Sequence, residues 1–312
     1  MKARLQWILP LVLLASSTYT QPEQPRQKVR TVTIPISIFT KKELKERQAE
    51  EFVQADRLIV REDKDEQQIL SIRSVSDSPL SIAIVIQEDL SAGFNNQLGD
   101  IRDFIRGLPK GTRVMTAYLR GGSPLITQRF TDDLSAAAKS LRIASGFSLS
   151  GSRSPYEGLT DILPRFDGVP TGRRAVLMFS DGLDTSGGLT LASVTQSLEL
   201  DQAILKAQRR SVAVYSFYGT TSLTENGNST LAFAAQGALQ KLSDETGGRA
   251  FFQGSIAPIS YLPFFRDLVT TLNRQFALSY ISTHMKKGYH KISVTSTNPE
   301  IKIEHPSGYY YR

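Results

Sequence analysis

Two carboxylates, Asp89 and Asp181, each stand just beyond an unbroken apolar run. Residues 173–184 read RRAVLMFSDGLD, and residues 81–87 read SIAIVIQ before the polar turn Glu88-Asp89-Leu90-Ser91. A short apolar run stopped by turn residues marks a strand buried on both faces, the kind found in parallel sheets. Open α/β sheets place their ligand sites at the carboxyl ends of such strands, so binding chemistry is expected between these two turns. An enzyme here would be a metal-assisted hydrolase in which Asp89 and Asp181 hold the ion, and it would still need a general base. The three histidines, His284, His290 and His305, all follow the α/β part of the chain and offer no such base. No Gly-x-Gly-x-x-Gly and no phosphate-loop lysine follows any apolar run. Residues 146–151 (GFSLSG) miss the Gly-x-Ser-x-Gly spacing of a nucleophile elbow. The expectation is a non-enzymatic binding module, with the metal-assisted hydrolase as the alternative.

Bringing two strand ends side by side takes a sheet with helical crossovers, and residues 79–274 carry that pattern. Apolar runs at 81–87, 113–119, 175–179, 212–218 and 249–253 alternate with helical segments. The first helix puts Phe94, Leu98, Ile101, Ile105 and Leu108 on one face, the second Leu134, Ala138 and Leu141. Further helices are expected over 156–163, 191–210, 231–246 and 259–272. Residues 125–130, after the tight turn Gly121-Gly122, read as an antiparallel edge strand. The alternation predicts an α/β fold: a doubly wound, mainly parallel, Rossmann-like sheet with helices on both faces.

The flanks differ in character. Residues 31–39 alternate around Pro35, which suits an edge strand. Residues 57–60 and 68–74 read as a hairpin about the acidic turn 62–66, and the charged stretch 41–51 as a connection or short helix. The tail segments 276–282, 290–296, 301–305 and 308–311 alternate as strands. Neither flank buries a core alone, so residues 31–78 and 275–312 are expected to pack together as one small β-rich domain.

The strand from Pro79 to Gln87 with its acidic, Ser-containing turn, the strand RRAVLMFSDG and the five or six βα units together resemble a von Willebrand factor A (VWA) domain. The flanking stretches RLIVREDKDEQQILSIRSVSDSPLSIAIVI and YHKISVTSTNPEIKIEHPSGYYYR are similar to those of secreted bacterial VWA proteins of the Acidobacteria type. The resemblance implies a protein-binding or adhesion role, or a scaffold whose β flanks mediate assembly, and a metal-ion-dependent adhesion site. That site is an Asp-x-Ser-x-Ser after the first strand, a Thr from a second loop and an Asp after the fourth strand. Its oxygen ligands suit Mg2+ or another hard divalent cation. In register, Gln87 takes the first Asp position, Asp89 the first Ser, Ser91 the second Ser and Asp181 the last Asp; Ser154 falls near the Thr, with Ser152 as the alternative. The implied metal ligands are therefore Asp89, Ser91, Ser154 and Asp181, in a degenerate site where Gln87 supplies only a neutral amide oxygen. Sliding the register by two gives Asp-Leu-Ser-Ala-Gly from Asp89, but carries Gln87-Glu88 into a doubly buried strand. Mg2+ tolerates such exchanges poorly. The expected state is a decayed site in which Asp181 caps the following turn, Asp89 and Glu88 are solvated, and Asp184 is a turn or helix cap.

The bulk properties fit this reading. Lys2 and Arg4, the short apolar core at 8–15 and the small residues after it form a secretory leader over residues 1–20, with a Pro/Gln-rich linker over 21–30. Export to the periplasm, cell envelope or medium is expected, with the membrane met only in transit. The net charge is +7; a cleaved leader removes Lys2 and Arg4 and no acid, leaving 35 basic against 30 acidic residues. No basic run interleaves with aromatics, so neither nucleic acid nor nucleotide is expected, and the partner is expected to be a protein. There is no cysteine, which removes a disulfide framework and a thiol metal site. The three tail histidines could bind a transition metal if their strands are neighbours, but read more simply as separate surface residues. Asn228-Ser229-Thr230 fits a glycosylation pattern, and Tyr309, Tyr310 and Tyr311 read as strand packing or a contact patch.

Overall fold

The computed structural model describes residues 28–40, 58–74, 78–146, 154–170, 172–188, 197–225 and 229–311. The leader, the linker up to residue 27, the 41–51 stretch, Ser152 and Asn228 lie outside them. The amino flank supplies β1 (Arg30–Thr40), β2 (Leu58–Glu62) and β3 (Asp65–Ser74). The α/β unit then runs β4 (Leu80–Gln87), a 3-10 turn (Ala92–Gln97), α1 (Leu98–Arg106), β5 (Arg113–Arg120), β6 (Ser123–Thr131), α2 (Leu134–Lys139) and α3 (Pro155–Ile162). It continues through β7 (Arg173–Ser180), α4 (Leu198–Gln208), β8 (Ala213–Tyr218), α5 (Ser222–Glu225), α6 (Ser229–Thr246), β9 (Ala250–Phe251) and α7 (Leu262–Asn273). The tail adds β10 (Gln275–Ser282), β11 (Gly288–Ser296), β12 (Ile301–Glu304) and β13 (Gly308–Tyr311).

The α/β sheet has the order β6-β5-β4-β7-β8-β9. All its pairs are parallel except β5 with β6, the expected antiparallel edge. Numbered within the sheet this is 3-2-1-4-5-6, the doubly wound order, which reverses direction between β4 and β7. Every residue of β4 is buried, and its pleat divides two cores. Ile82, Ile84 and Ile86 face α1, α2 and α7, whereas Ala83 and Val85 face α3, α4 and α6. Full burial of each isoleucine contributes roughly 1.5–3 kcal/mol. That explains why this strand reads as a continuous apolar run rather than an alternating one. Among the described residues, no helix is long and apolar enough to cross a membrane.

Both flanks join one antiparallel sheet of order β12-β1-β10-β3-β2-β11-β13, over a core that includes Val32, Ile34, Ile36, Val60, Leu278 and Tyr280. Three local expectations need correction. The strand around Pro35 is interior, between β10 and β12. Pro35 is tolerated because β12 pairs only with residues 37–40, so its missing N–H interrupts no ladder on that side. The helix expected from residue 191 is described from Leu198, where the Ser197 hydroxyl caps it by accepting from the Leu200 N–H at 3.0 Å. The strand expected over 249–253 shrinks to the two residues of β9.

Candidate functional site

The reversal between β4 and β7 sets Gln87 against the Ser180-Asp181-Gly182 turn. Gln87 is buried, and its Oε1 accepts from the Ser180 hydroxyl at 2.5 Å and from the Asp181 backbone N–H at 3.2 Å. The Ser180 hydroxyl oxygen in turn accepts from the Gly182 N–H at 3.0 Å. Gly182 has φ +76, and a Cβ there would stand 2.6 Å from the Ala235 carbonyl oxygen; the close approach of α6 requires glycine. Tyr156, at the start of α3, donates to the Gly182 carbonyl at 2.8 Å and pins the turn from the other side.

Asp181 is 2% exposed. One carboxylate oxygen accepts from the Leu183 N–H at 3.0 Å, closing an Asx turn, and the other from the Thr221 hydroxyl at 2.7 Å. Burial pushes its pKa up to about 6, and the neighbouring Asp89 charge pushes the same way. Hydrogen bonds from Leu183, Thr221 and the Gln87 side chain restrain that rise. The amide at position 87 therefore meets Asp181 as a hydrogen-bond partner, where a carboxylate would meet it as a second negative charge.

The remaining expected ligands are placed around this pair, and the two serines are already hydrogen-bonded. The Ser91 hydroxyl shares a 3.0 Å hydrogen bond with that of Thr220, and its N–H donates to the Thr220 carbonyl at 2.8 Å. Ser154 is buried and caps α3, its hydroxyl accepting from the Tyr156 N–H at 3.3 Å and also meeting Asp184. Asp89 is half-buried and acts on Asp181 through its charge. Asp184 is buried in a serine cage: it accepts from the Ser186 N–H at 3.0 Å, the Ser186 hydroxyl at 2.6 Å and the Ser197 hydroxyl. Burial raises the Asp184 pKa, but these donors outweigh it and hold the carboxyl below the usual aspartate range. Ser154, Asp184 and Ser197 thus tie α3, the post-β7 loop and α4 together, a larger role than the turn cap expected of Asp184.

Glu88 departs from expectation. It is buried rather than solvated and lies in a bidentate pair with Arg142, the Arg142 Nη1 standing 2.7 Å from Glu88 Oε1. The Arg142 guanidinium stacks 4.2 Å over the Tyr118 ring. Burial raises the Glu88 carboxyl, and Arg142 reverses this to leave its pKa below the usual glutamate range. A planar fork on a carboxylate with an aromatic floor is a geometry only arginine supplies.

Thr220 and Thr221, at the end of β8, were not anticipated as site residues. The signal was a Gly-Thr-Thr turn after a buried strand, which is common turn chemistry until the sheet order places it beside β7. Among the described residues, no buried side-chain polar atom of Gln87, Ser91, Ser154, Asp181 or Asp184 lacks a hydrogen-bond partner. Near-octahedral oxygen coordination would have to break the hydrogen bonds that already hold Ser91, Ser154 and Asp181. The donors present do not fit the cation site that the resemblance implies.

No family model matches this chain, and no curated protein matches its sequence. Solved structures of similar chain path include a von Willebrand factor type A protein from Catenulispora acidiphila, with 9% identity over 95% of this chain and 76% of that one, at a TM-score of 0.42. They also include the conserved hypothetical protein BatB from Bacteroides thetaiotaomicron, with 12% identity over 62% of this chain and 96% of that one, TM-score 0.42. The SpRpn10 VWA domain shares 11% identity over 62% and 94%, TM-score 0.39. Likeness at this level transfers neither ligand nor activity.

Proposed function

We propose that this chain is an exported, non-enzymatic interaction module of VWA type that presents the carboxyl edge of its parallel sheet to a protein partner. The observation that carries this reading is the set of bare apolar side chains on the loops of that edge. Ile143, beside the Glu88–Arg142 pair, is 68% exposed, and Leu223, two residues beyond Thr221, is 42% exposed. Ile259 is 90% exposed, with its carbonyl tied to the 3-10 turn after β4 by Gln97 at 2.6 Å. Apolar side chains rimming a polar, hydrogen-bonded centre are the composition of a protein contact rather than of a small-molecule pocket. Asp89, with Ser91 beside it, is the polar group through which a partner would be oriented. Asp181, Gln87 and Ser154 hold the edge rigid beneath it. In this reading the hydrogen-bond network does the positioning that a divalent cation such as Mg2+ does in an intact adhesion site.

The absence of cysteine makes a clean test available. A single thiol introduced by Ser91→Cys or Ile259→Cys carries a photo-crosslinker on the edge, and Lys110→Cys carries it at the opposite, amino end of the sheet. In extracts of the source cells with EDTA present, the edge positions should capture the same protein species and Lys110→Cys should not. Capture of one set of proteins at all three positions, or capture at the edge only with Mg2+ added, would overturn the reading.

A further inference from the structure

The flanking sheet gathers residues that lie far apart in the chain. The two-residue turn of the β2–β3 hairpin puts Asp63 and Lys64 at φ +51 and +84, left-handed values that Asp tolerates and Lys does not favour. Asp63 is held there at both ends. Its N–H donates to the Lys291 carbonyl at 2.9 Å, and its Oδ1 accepts from the Lys291 N–H at 2.8 Å. Oδ2 is left pointing at two histidines from the tail, 2.8 Å from His290 Nδ1 and 3.9 Å from His284 Nδ1. His305, the third histidine of the tail, is elsewhere, accepting from the Val294 N–H at 3.2 Å. The expectation of separate histidines thus fails for His284 and His290, which share a cluster, while His305 stands apart and half-buried.

The cluster sets two carboxylates against one ring nitrogen of a buried histidine. His290 is 4% exposed, and its Nε2 meets the Lys286 carbonyl at 2.7 Å, a contact that requires the ring proton on Nε2. Nδ1 faces Asp63 Oδ2 and, at 3.3 Å, Oε1 of the wholly buried Glu62. A single cation at Nδ1, a proton or a metal ion, would be shared by both carboxylates. Two buried atoms of the cluster lack a hydrogen bond: Glu62 Oε2, and His284 Nε2, which stands 3.3 Å from Asp65 Oδ2. Arg30 and the Tyr309 hydroxyl brace Glu62 from behind, the latter at 2.6 Å, and the Tyr309 ring stacks on His290.

The geometry points to a divalent transition-metal site formed by Asp63, His284 and His290. One ligand atom from each lies within 4.8 Å of the others. Tetrahedral zinc with N and O ligands needs separations of about 3.3 Å. The 2.8 Å and 3.9 Å contacts reach that value by shifts of about half an ångström in opposite directions. The Lys286 carbonyl on His290 Nε2 is the orienting contact that metal-bound imidazoles show, and it presents Nδ1 for coordination. Two imidazoles and one carboxylate favour Zn2+ and its first-row neighbours over Mg2+ or Ca2+. The fourth position is left to water, while Asp65 Oδ2, 3.3 Å from His284 Nε2, stands where it orients the second imidazole. Such an ion would clasp the amino-flank hairpin to the tail strands, stabilising the sheet in a chain that has no disulfide.

The test is calorimetric titration of the full, chelator-treated chain with Zn2+ at pH 7.5. One equivalent should bind saturably and raise the thermal midpoint. Affinity should fall at least tenfold in both His284→Ala and Asp63→Asn, and remain unchanged in Asp181→Ala. Co2+ should give the visible absorption of a tetrahedral site in wild type and lose it in both variants. Far-ultraviolet circular dichroism verifies that each variant is folded, with His284→Gln as a second variant. Absence of saturable binding to folded wild type, or binding that the variants leave intact, would overturn the assignment. A metal-free His290 with both ring nitrogens protonated, in a chain that takes up no Zn2+, would identify the cluster as an ion pair instead.

Discussion

Replacing Asp181 by Asn isolates the electrostatic strain at the sheet edge. Asp181 is fully buried and its pKa is raised from 3.8 to about 6. Folding thus disfavours the ionised carboxylate by roughly 3 kcal/mol at full effect. The sign follows from linkage. Below pH 4 the group is protonated in both folded and unfolded chains, and the folded state carries no penalty. Between pH 4 and 6 the unfolded chain ionises while the folded one stays neutral, so wild type loses stability as pH rises. Above pH 6 both are ionised and the loss is complete. Asn has nearly the same shape and no charge; its carbonyl can accept from the Leu183 N–H as Asp181 does, and the Thr221 hydroxyl can rotate to accept from its amide. Urea denaturation in EDTA from pH 4 to 8 therefore should show Asp181→Asn more stable than wild type by about 1–3 kcal/mol at pH 8, with the gap closing towards pH 4. Taking the difference between the two proteins at each pH cancels the other titrating groups. A variant less stable than wild type at pH 8, or a gap independent of pH, would refute the reasoning.

Three further outcomes follow from the same geometry. Gln87→Asp exchanges the amide beside Asp181 for a second buried carboxylate; the metal-free protein should lose about 2 kcal/mol or more above pH 6 and regain part of it with Mg2+, read by thermal melts with and without EDTA. Arg142→Met leaves the buried Glu88 carboxylate unpaired and should cost about 1–3 kcal/mol at pH 7, a value discounted for the partial exposure of Arg142. Because the Glu88 pKa is depressed in the fold, the pair's contribution is present above the ordinary glutamate pKa and lost as pH falls through the depressed one, so the difference from wild type should shrink in acid. Gly182→Ala meets both a positive φ and the Ala235 carbonyl, and should destabilise by more than about 2 kcal/mol by urea titration.

The layers of the fold were legible because β4, β7 and β8 are buried on both faces and therefore read as unbroken apolar runs bounded by turn residues. The helix faces were legible for the same reason: Leu98, Ile101 and Ile105 recur at helical spacing and all enter one core. Pro35 misled because proline signals an edge, whereas a short neighbour such as β12 lets an interior strand carry it. The network partners of the site were not legible. Thr221 lies 40 residues from Asp181, and Arg142 lies 54 residues from Glu88; such pairings come from sheet order and loop path, which local spacing does not encode. The same holds for Asp63 and His290, 227 residues apart and in contact only because β2 and β11 pair.

Gln87 bears on how a buried carboxylate can persist at the switch point of a doubly wound sheet. In an adhesion site of oxygen ligands, a divalent cation offsets the buried charge. Here the chain meets Asp181 with neutral donors, the Leu183 N–H, the Thr221 hydroxyl and the Gln87 amide, and these leave it with a pKa of about 6. Neutral hydrogen bonds recover part of the desolvation cost of the carboxylate but not all of it, and the remainder is met by a proton taken up in mildly acidic surroundings. The Asp181 turn beneath Asp89 therefore changes charge between pH 5 and 7 without any ion. A partner presenting a cationic group to Asp89 should then bind more tightly above pH 6, where Asp181 reinforces the negative potential, and one presenting a carboxylate more tightly below it. The direction of that pH dependence, measured on the partner captured at the edge, identifies the charge of the group that docks there.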